Sequence, residues 1–242
     1  MTFDTIDTMP DDELIAQVRQ LREAGRSPKQ IARTLGVRFA AVAPLVRAIA
    51  QQAADTELEP AVVGCWVSPG WSRGLSVDGH EDWPDVGQTD AGASGLACVA
   101  IARRHRPQRV SVCGYLADVY CLGVKDALGP RIMNERDVPV FLRRFFGAFE
   151  DEAPLAAPLE LARHLVWGAV DYARGLGFEP HRDFQAAAGH LGPWREASAI
   201  TFGSDGAPLY IQGPYDDPDS VFATLTRAVG GGNVHYLVSV GP

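Results

Sequence analysis

Residues 95–124 read GLACVAIARRHRPQRVSVCGYLADVYCLGV and contain two β-rich runs that are separated by Arg106, Pro107 and Gln108. Runs rich in valine, isoleucine and tyrosine on either side of a short polar segment are typical of a β-hairpin. A further run of this kind, AVVGCWV, precedes them at 61–67. The sequence therefore predicts that a largely antiparallel sheet begins in this part of the chain.

Helical spacing of apolar residues follows the predicted sheet. Phe141, Phe145 and Phe149 recur every four residues within 135–150, and Asn134 precedes the run. Residues four apart lie on one face of a helix, and asparagine is a frequent helix N-cap. The pattern predicts a helix that is capped by Asn134 and buries the three phenylalanines.

The remainder of this region alternates between helices and strands. Pro158 and Asp183 precede two helical runs, and Asp205 followed by Gly206 is typical of a hairpin turn. The predicted elements are a helix at 159–177, a short helix at 184–191, a hairpin at 199–214, a helix at 219–230 and a last strand at 234–240. Residues 68–94 are long for a structureless loop, which leaves a functional flap and a disordered segment as two interpretations.

The amino-terminal region predicts three short helices. Apolar residues recur at helical spacing in 13–25, and Ser27 with Gln30 three positions later forms the capping box typical of a helix start. Gly36 ends that second helix, and a third apolar stripe occupies 38–52.

Residues 23–37, EAGRSPKQIARTLGV, closely resemble the helix-turn-helix segments of resolvases and homeodomain-like regulators. The resemblance implies contact with duplex DNA. The residues expected to make it are Ser27, Lys29, Arg33, Arg38 and Arg47. The third helix offers mostly alanine where a base-reading helix presents polar side chains. A module that docks on a protein or on the chain's own large domain therefore stays open as the alternative.

Charge is distributed unevenly along the chain. Residues 11–50 carry seven basic and four acidic side chains, a formal charge of +3, whereas the whole chain carries −8 and residues 61–242 carry −6. Phosphate groups attract basic surfaces and repel acidic ones. Any polyanionic partner is therefore expected at the amino-terminal module.

These patterns predict an α+β protein. A small all-α three-helix (helix-turn-helix) module is expected at 11–52, a linker at 53–60, and a larger mixed α/β domain with a largely antiparallel sheet at 61–242. No apolar run reaches the roughly 20 residues of a membrane-spanning helix, and the acidic start is unlike a secretory signal. We therefore expect a cytoplasmic protein without a membrane partner.

The four cysteines form no CxxC pair and stand in apolar surroundings. This pattern predicts reduced residues in the core, with no disulfide framework. Only Cys121, four residues before Lys125, has a basic neighbour of the kind that favours a reactive thiol.

Several stretches resemble a bacterial family of uncharacterised proteins. They are YLADVYCLGVKDALGP at 115–130, WGAVDYARGLGFEPHRDF at 167–184, ITFGSDGAPLYIQGPYDD at 200–217 and GGGNVHYLV at 230–238. Some members of that family carry a SEC-C zinc motif at the carboxy terminus. This chain has no Cys/His cluster there, so the resemblance implies no structural zinc, and the helix-turn-helix is an addition to the family's pattern.

The candidate catalytic residues are the polar groups of these motifs. They are Asp118, Lys125, Asp126, His164, Asp171 and His181. If they converge, carboxylates and imidazoles would hold a divalent metal that activates water, and a lysine beside them would suit a phosphodiester. Structural interpretations stay open beside this one. Lys125 and Asp126 would form an ion pair at a strand end, His164 and Asp171 would be solvated, and Asp183 would be a helix cap. Because their spacing matches no established metal signature, no metal and no cofactor is predicted.

Three functions stay open. The first is a DNA-binding protein, for which a regulatory role stays open, with a carboxy-terminal domain of unknown activity. The second is a metal-dependent hydrolase or nuclease acting through the Asp/His cluster, and the third is an adaptor that binds an unknown protein partner. The capped second helix and the local positive charge favour the first.

Overall fold

The structure, a computed structural model, describes residues 11–23, 26–47, 59–87, 95–148, 153–233 and 235–237. The chain divides into two compact units, an amino-terminal unit that ends at Glu59 and a carboxy-terminal unit that begins at Pro60. The first is helical where it is described, and the second is mixed α/β. Among the described helices, none has the length and apolar character needed to cross a lipid bilayer.

Three helices form the described part of the amino-terminal unit. They are α1 Asp11–Glu23, α2 Pro28–Leu35 and α3 at 39–47. The capping box predicted for α2 is confirmed, because the Gln30 backbone N–H donates to Ser27 Oγ and the Ser27 N–H donates to the Gln30 side chain. Gly36 follows α2 with a φ of +67°, the left-handed conformation that ends a helix.

The amino-terminal unit has a hydrophobic core of its own. Val18 of α1, Ile31 of α2 and Val42 of α3 are fully buried, and Val46 packs with them. Each helix therefore turns its apolar stripe inward, as the helical spacing predicts. The polar positions of α2 and α3 are left on the outside.

Nine strands are described in the carboxy-terminal unit. They are β1 Val62–Val67, β2 Ser76–Val77, β3 Leu96–Arg106, β4 Arg109–Asp118, β5 Gly123–Asn134, β6 Leu155–Ala156, β7 Ile200–Thr201, β8 Leu209–Ile211 and β9 His235–Leu237. Five of them form one antiparallel sheet in the order β5-β4-β3-β1-β6. The hairpin predicted at 95–124 is confirmed as its centre, since β3 and β4 pair from Leu96 with Asp118 to Arg106 with Arg109.

Helices cover both faces of this sheet. One face is covered by α4 Val138–Phe146 and the other by α5 Leu159–Gly175. Two further helices follow in the chain, α6 Phe184–Ala187 and α7 Pro218–Val229. Val99 and Tyr115 belong to the core under α5, whereas Ala100 and Val112 belong to the core under α4. Because β3 is covered on both faces, it is apolar on both sides, which explains the unbroken run LACVAIA at 96–102.

The cap and the buried face of α4 differ from the prediction. Asn134 makes no side-chain cap hydrogen bond, because the chain first makes a 3-10 turn before the helix begins. Phe141 and Phe146 are buried, whereas Phe145 is half-buried. Phe149 lies outside the described residues. The buried face is therefore rotated from the one that the four-residue spacing predicts.

The hairpin predicted at 199–214 is wrong in its pairing. The chain does turn at Asp205 and Gly206, which both have positive φ. Only Ser204 and Ala207 bridge across that turn. The strands on its two sides find other partners, because β7 pairs with β2 and β8 runs parallel to β9. Residues distant in sequence thus satisfy the backbone groups that a local hairpin would have paired.

The described part of the stretch 68–94 is packed into the fold. Trp71 and Trp83 are buried, and the Trp71 indole N–H donates to the Pro84 carbonyl at 2.8 Å. Strand β2 joins this segment to β7. These contacts exclude disorder for 68–87, while residues 88–94 lie outside the described part of the chain.

Candidate functional site

The candidate nucleic-acid contacts all lie at the surface of the amino-terminal unit. The exposed residues are Ser27, Lys29, Arg33, Arg38 and Arg47. Lys29 and Arg33 are four residues apart in α2 and share one of its faces. Ser27 Oγ accepts the Gln30 N–H, so its hydroxyl proton stays available for donation to an acceptor such as a phosphate oxygen.

The outward side of α3 is poor in hydrogen-bonding groups. Phe39, Ala40, Ala41, Pro44 and Arg47 are its exposed residues within 39–47, and Phe39 is 50% exposed. Of these side chains only the Arg47 guanidinium can donate to the edge of a base. The surface is therefore better suited to contact phosphates and apolar groups than to read a sequence through hydrogen bonds.

The six candidate catalytic residues make contacts in three different places. Asp118 lies near Lys125, Asp126 lies beside His181, and His164 and Asp171 both contact Trp194. Because each place has its own partners, the six residues do not form a single convergent Asp/His cluster.

Asp118 ends β4 and is 3% exposed. Its Oδ1 accepts the backbone N–H of Tyr120 at 3.0 Å and of Cys121 at 2.9 Å. Burial raises the pKa of this carboxyl group to about 6, against the opposing effect of those N–H donors and of Lys125. The geometry gives Asp118 a structural role, because it holds the loop between β4 and β5.

Lys125 of β5 is committed to an ion pair. Its Nζ lies 2.7 Å from Asp216 Oδ2, and the two side chains are only 20% and 11% exposed. Asp216 also accepts the Gly213 N–H at 2.8 Å. The ion pair that one interpretation assigns to Lys125 and Asp126 is therefore formed with Asp216 instead, because the chain after β8 returns to the sheet at this point.

Asp126 and His181 are brought together with Asp183. His181 Nδ1 lies 3.7 Å from Asp126 Oδ1 and 3.8 Å from Asp183 Oδ2. The Asp183 side chain makes no cap hydrogen bond to α6, so its interpretation as a capping group is wrong. Its carboxylate faces the imidazole instead. Two carboxylates and an imidazole nitrogen at these distances are a candidate metal-ligand set.

A cleft of about 610 Å³ lies between β5 and α4, beside this cluster. Its lining includes Asp126 and Asp183, the apolar Leu128, Phe141 and Phe145, and the cations Arg131 and Arg144. This volume falls in the range of small-molecule sites, which are mostly apolar with a few polar groups. Asp126 and Asp183 therefore face this cleft, whereas His181 lines another one.

His164 is buried in α5, which excludes its interpretation as a solvated residue. Its Nδ1 accepts the Ala199 backbone N–H at 2.9 Å, and burial lowers the pKa of the ring. Trp194 packs against it with the two ring planes perpendicular and 5.0 Å between ring centroids. Asp171 Oδ2 accepts the Trp194 indole N–H at 3.0 Å. Asp171 is exposed and positions this tryptophan.

Sequence reasoning missed two neighbours of His164. Potential ligand atoms of His80, Glu160 and His164 lie within 4.8 Å of one another. Glu160 and His164 are four apart on α5, a spacing that was visible in the sequence. His80 was not predictable, because it reaches α5 from the irregular segment before Trp83, on which its ring stacks at 4.0 Å.

The hydrogen bond of His164 argues against a metal ion at this second cluster. A neutral imidazole carries one N–H, and Nδ1 is an acceptor here, so the proton belongs on Nε2. A metal would need a bare Nε2 and a proton on Nδ1, where the Ala199 N–H already points. The arrangement fits a buried hydrogen-bond donor better than a metal ligand.

Two candidate nucleophiles are buried. The pentapeptide GWSRG at 70–74 matches the GxSxG pattern, but Ser72 is 1% exposed and donates to the Asp85 carbonyl, and a turn leads from it into β2 where that motif requires a helix. Burial and the nearby Asp118 raise the pKa of the Cys121 thiol, which opposes thiolate formation. All four cysteines are free and buried, which confirms the prediction that they lie in the core.

Comparison with known proteins adds no relative. No family model, no curated protein and no solved structure matches this chain. The resemblance to the SEC-C-related bacterial family stays a prediction from the quoted stretches, and functional inference rests on the residues themselves.

Proposed function

We propose that the protein binds duplex DNA through its amino-terminal unit, in which α2 and α3 form a helix-turn-helix. The main support is the exposure of Lys29, Arg33, Arg38 and Arg47 on a unit that uses its apolar residues for its own core. A stable small unit with an outer cationic surface is what contact with a polyanion requires.

The uneven distribution of charge also supports DNA contact by the amino-terminal unit. The amino-terminal helices have a formal excess of positive charge, whereas residues 61–242 carry −6. The field of the acidic unit repels phosphate, so encounter with DNA favours the basic unit. The free, buried cysteines also fit a reducing compartment such as the cytoplasm.

The composition of α3 limits what this contact can recognise. Ala40, Ala41 and Phe39 can touch a thymine methyl group, and Arg47 alone can donate to a base. We therefore expect that phosphate contacts supply most of the affinity and that sequence discrimination is weak. A regulatory role would then depend on what the carboxy-terminal unit binds.

Fluorescence anisotropy of labelled duplexes tests the proposal. The full chain is titrated into several unrelated duplex sequences at low salt, alongside the double variant Arg33→Gln/Arg38→Gln. The matched control is Arg106→Gln/Arg109→Gln, which removes two exposed charges from the carboxy-terminal unit. We expect the first variant to lose about tenfold or more in affinity and the control to lose little.

The same titration can refute the proposal. Absence of binding by the full chain at low salt would exclude DNA as a partner. Equal losses in the two double variants would show a nonspecific charge effect and not a contact by α2 and α3. If DNA binding is absent, a protein partner at the exposed Phe39 becomes the better interpretation of this surface.

A further inference from the structure

We propose that Asp126, His181 and Asp183 form a binding site for one divalent transition-metal ion of the zinc class, at the mouth of the cleft between β5 and α4. This site is independent of the proposed DNA contact, because all of its residues belong to the carboxy-terminal unit. It combines an imidazole nitrogen with two carboxylates, a mixed ligand set that zinc and its neighbours accept.

The spacing of the ligand atoms fits a small cation. The Nδ1 of His181 lies 3.7 Å from Asp126 Oδ1 and 3.8 Å from Asp183 Oδ2. A tetrahedral zinc ion with ligands at about 2.1 Å separates its ligand atoms by about 3.4 Å. The two distances from Nδ1 are therefore close to the separation that the ion needs, and the ligand atoms of all three residues lie within 4.8 Å of one another.

The tautomer of His181 also fits. Its Nδ1 faces both carboxylates and receives only a long contact of 3.4 Å from the Asp183 backbone N–H. Nδ1 is thus an acceptor, and the ring proton belongs on Nε2. An ion at Nδ1 would displace the long contact from the Asp183 N–H, which at 3.4 Å is near the limit of a hydrogen bond. A metal ion at Nδ1 needs this same tautomer, whereas the tautomer of His164 opposes a metal at the other cluster.

Charge is matched as well. A neutral imidazole and two carboxylates give the site a formal charge of −2, which a dication neutralises. Arg182 has its Nε 3.8 Å from the other Asp183 oxygen, Oδ1, and its side chain is 87% exposed. It therefore neutralises Asp183 only weakly and leaves Oδ2 directed to His181.

The fold holds the three ligands in place. Asp126 belongs to β5, and the His181 backbone N–H donates to the Val124 carbonyl of that strand at 2.8 Å. Asp183 precedes α6, which is anchored by the buried Phe184. The ligands come from a strand and from a segment attached to it, so little ordering is needed when the ion binds.

Both carboxylates also line the cleft, so an ion held between them has its free coordination positions at an accessible surface. Sites of this kind, with three protein ligands and open positions, differ from closed structural zinc sites with four. The expected ion is therefore exchangeable and removable by a chelator without unfolding the chain.

Cobalt(II) titration of the full chain, under reducing conditions, tests the site. Co²⁺ reports nitrogen and oxygen ligation in its visible absorption, and Zn²⁺ should displace it. Long-range ¹H–¹⁵N spectra of the histidine rings identify the ligating nitrogen. The variants are His181→Gln and Asp126→Asn, and the matched control is His80→Gln, which alters the other imidazole and carboxylate cluster.

We expect one equivalent of metal, ligation through Nδ1 of His181, and affinity about tenfold lower or worse in His181→Gln and Asp126→Asn. The control should bind as the unchanged chain does. Both altered side chains are at least 36% exposed, so these variants should fold, and a urea unfolding curve checks this. Absence of saturable binding, ligation through another histidine, full affinity in folded His181→Gln, or loss in His80→Gln would each overturn the proposal.

Discussion

The backbone N–H of Ala199 donates to Nδ1 of His164, with 2.9 Å between the two nitrogens. Ser198 Oγ also donates to the His164 carbonyl, so the segment before β7 is attached twice to α5. The first contact exists only while Nδ1 is unprotonated. Protonation would place an N–H on each side of the gap and replace attraction by repulsion.

The free energy of unfolding should therefore fall when the pH is lowered through about 6.5, the ordinary pKa of histidine. Burial lowers the pKa of His164 in the folded chain, so the unfolded state takes up the proton first. Proton uptake therefore stabilises the unfolded state relative to the folded state. His190 has the same direction of shift. Urea unfolding at several pH values measures the slope, and His164→Gln should reduce it.

Asp118 should change the free energy of unfolding in the opposite direction at lower pH. Its pKa is raised to about 6 in the folded chain, so the folded state takes up this proton first between about pH 4 and 6. The loss caused by the histidines is therefore partly offset in that range. A slope that is unchanged in His164→Gln would contradict the role assigned to the Ala199 contact.

Asp118 should act as a structural residue. Replacing it by alanine leaves the buried N–H groups of Tyr120 and Cys121 without their acceptor, which should cost roughly 2–4 kcal/mol in urea unfolding. Asp171→Ala removes one contact from an exposed carboxylate and should cost less than about 1 kcal/mol. Equal effects of the two substitutions would be inconsistent with this assignment.

The ion pair between Lys125 and Asp216 should contribute more than a surface pair. Lys125→Met leaves the 11% exposed carboxylate of Asp216 uncompensated, and we expect a loss of about 1–3 kcal/mol in the free energy of unfolding. The matched exposed pair is Arg174 with Glu179, for which Arg174→Met should cost about 0.5 kcal/mol or less. A larger loss in the surface variant would reverse this ranking.

The cysteines should resist alkylation in the folded chain. All four are buried, and burial raises the pKa of Cys65 to about 12 and that of Cys113 to about 12. Thiolate is the reactive species, so labelling by iodoacetamide near pH 8 should follow unfolding. Mass spectrometry of native and urea-treated protein measures this. Rapid native labelling of Cys121 would restore it as a candidate nucleophile.

Much of the fold was predictable because local patterns and tertiary structure agree. The capping box at Ser27 and the hairpin between β3 and β4 depend on neighbouring residues and were found. The turn at Asp205 and Gly206 was also visible, but its strands pair with β2 and β9. Sequence patterns do not encode which distant strand competes for an edge.

The candidate site was predictable only in part for the same reason. Asp126 and His181 were singled out by residue type, but Asp183 was interpreted as a cap because it precedes a helix. His80 lies beside His164 although the two are far apart in sequence, and β2, which precedes His80, pairs with β7. A contact between segments about 80 residues apart leaves no local periodicity from which it could be inferred.

The salt dependence of DNA binding tests the proposed function most directly. If Lys29, Arg33, Arg38 and Arg47 all contact phosphates, the logarithm of the association constant should fall with the logarithm of salt concentration with a slope of about −3 to −4. Arg33→Gln/Arg38→Gln should reduce the magnitude of that slope by about two. A slope near zero, or one that the double variant leaves unchanged, would contradict the proposal that this basic surface meets DNA.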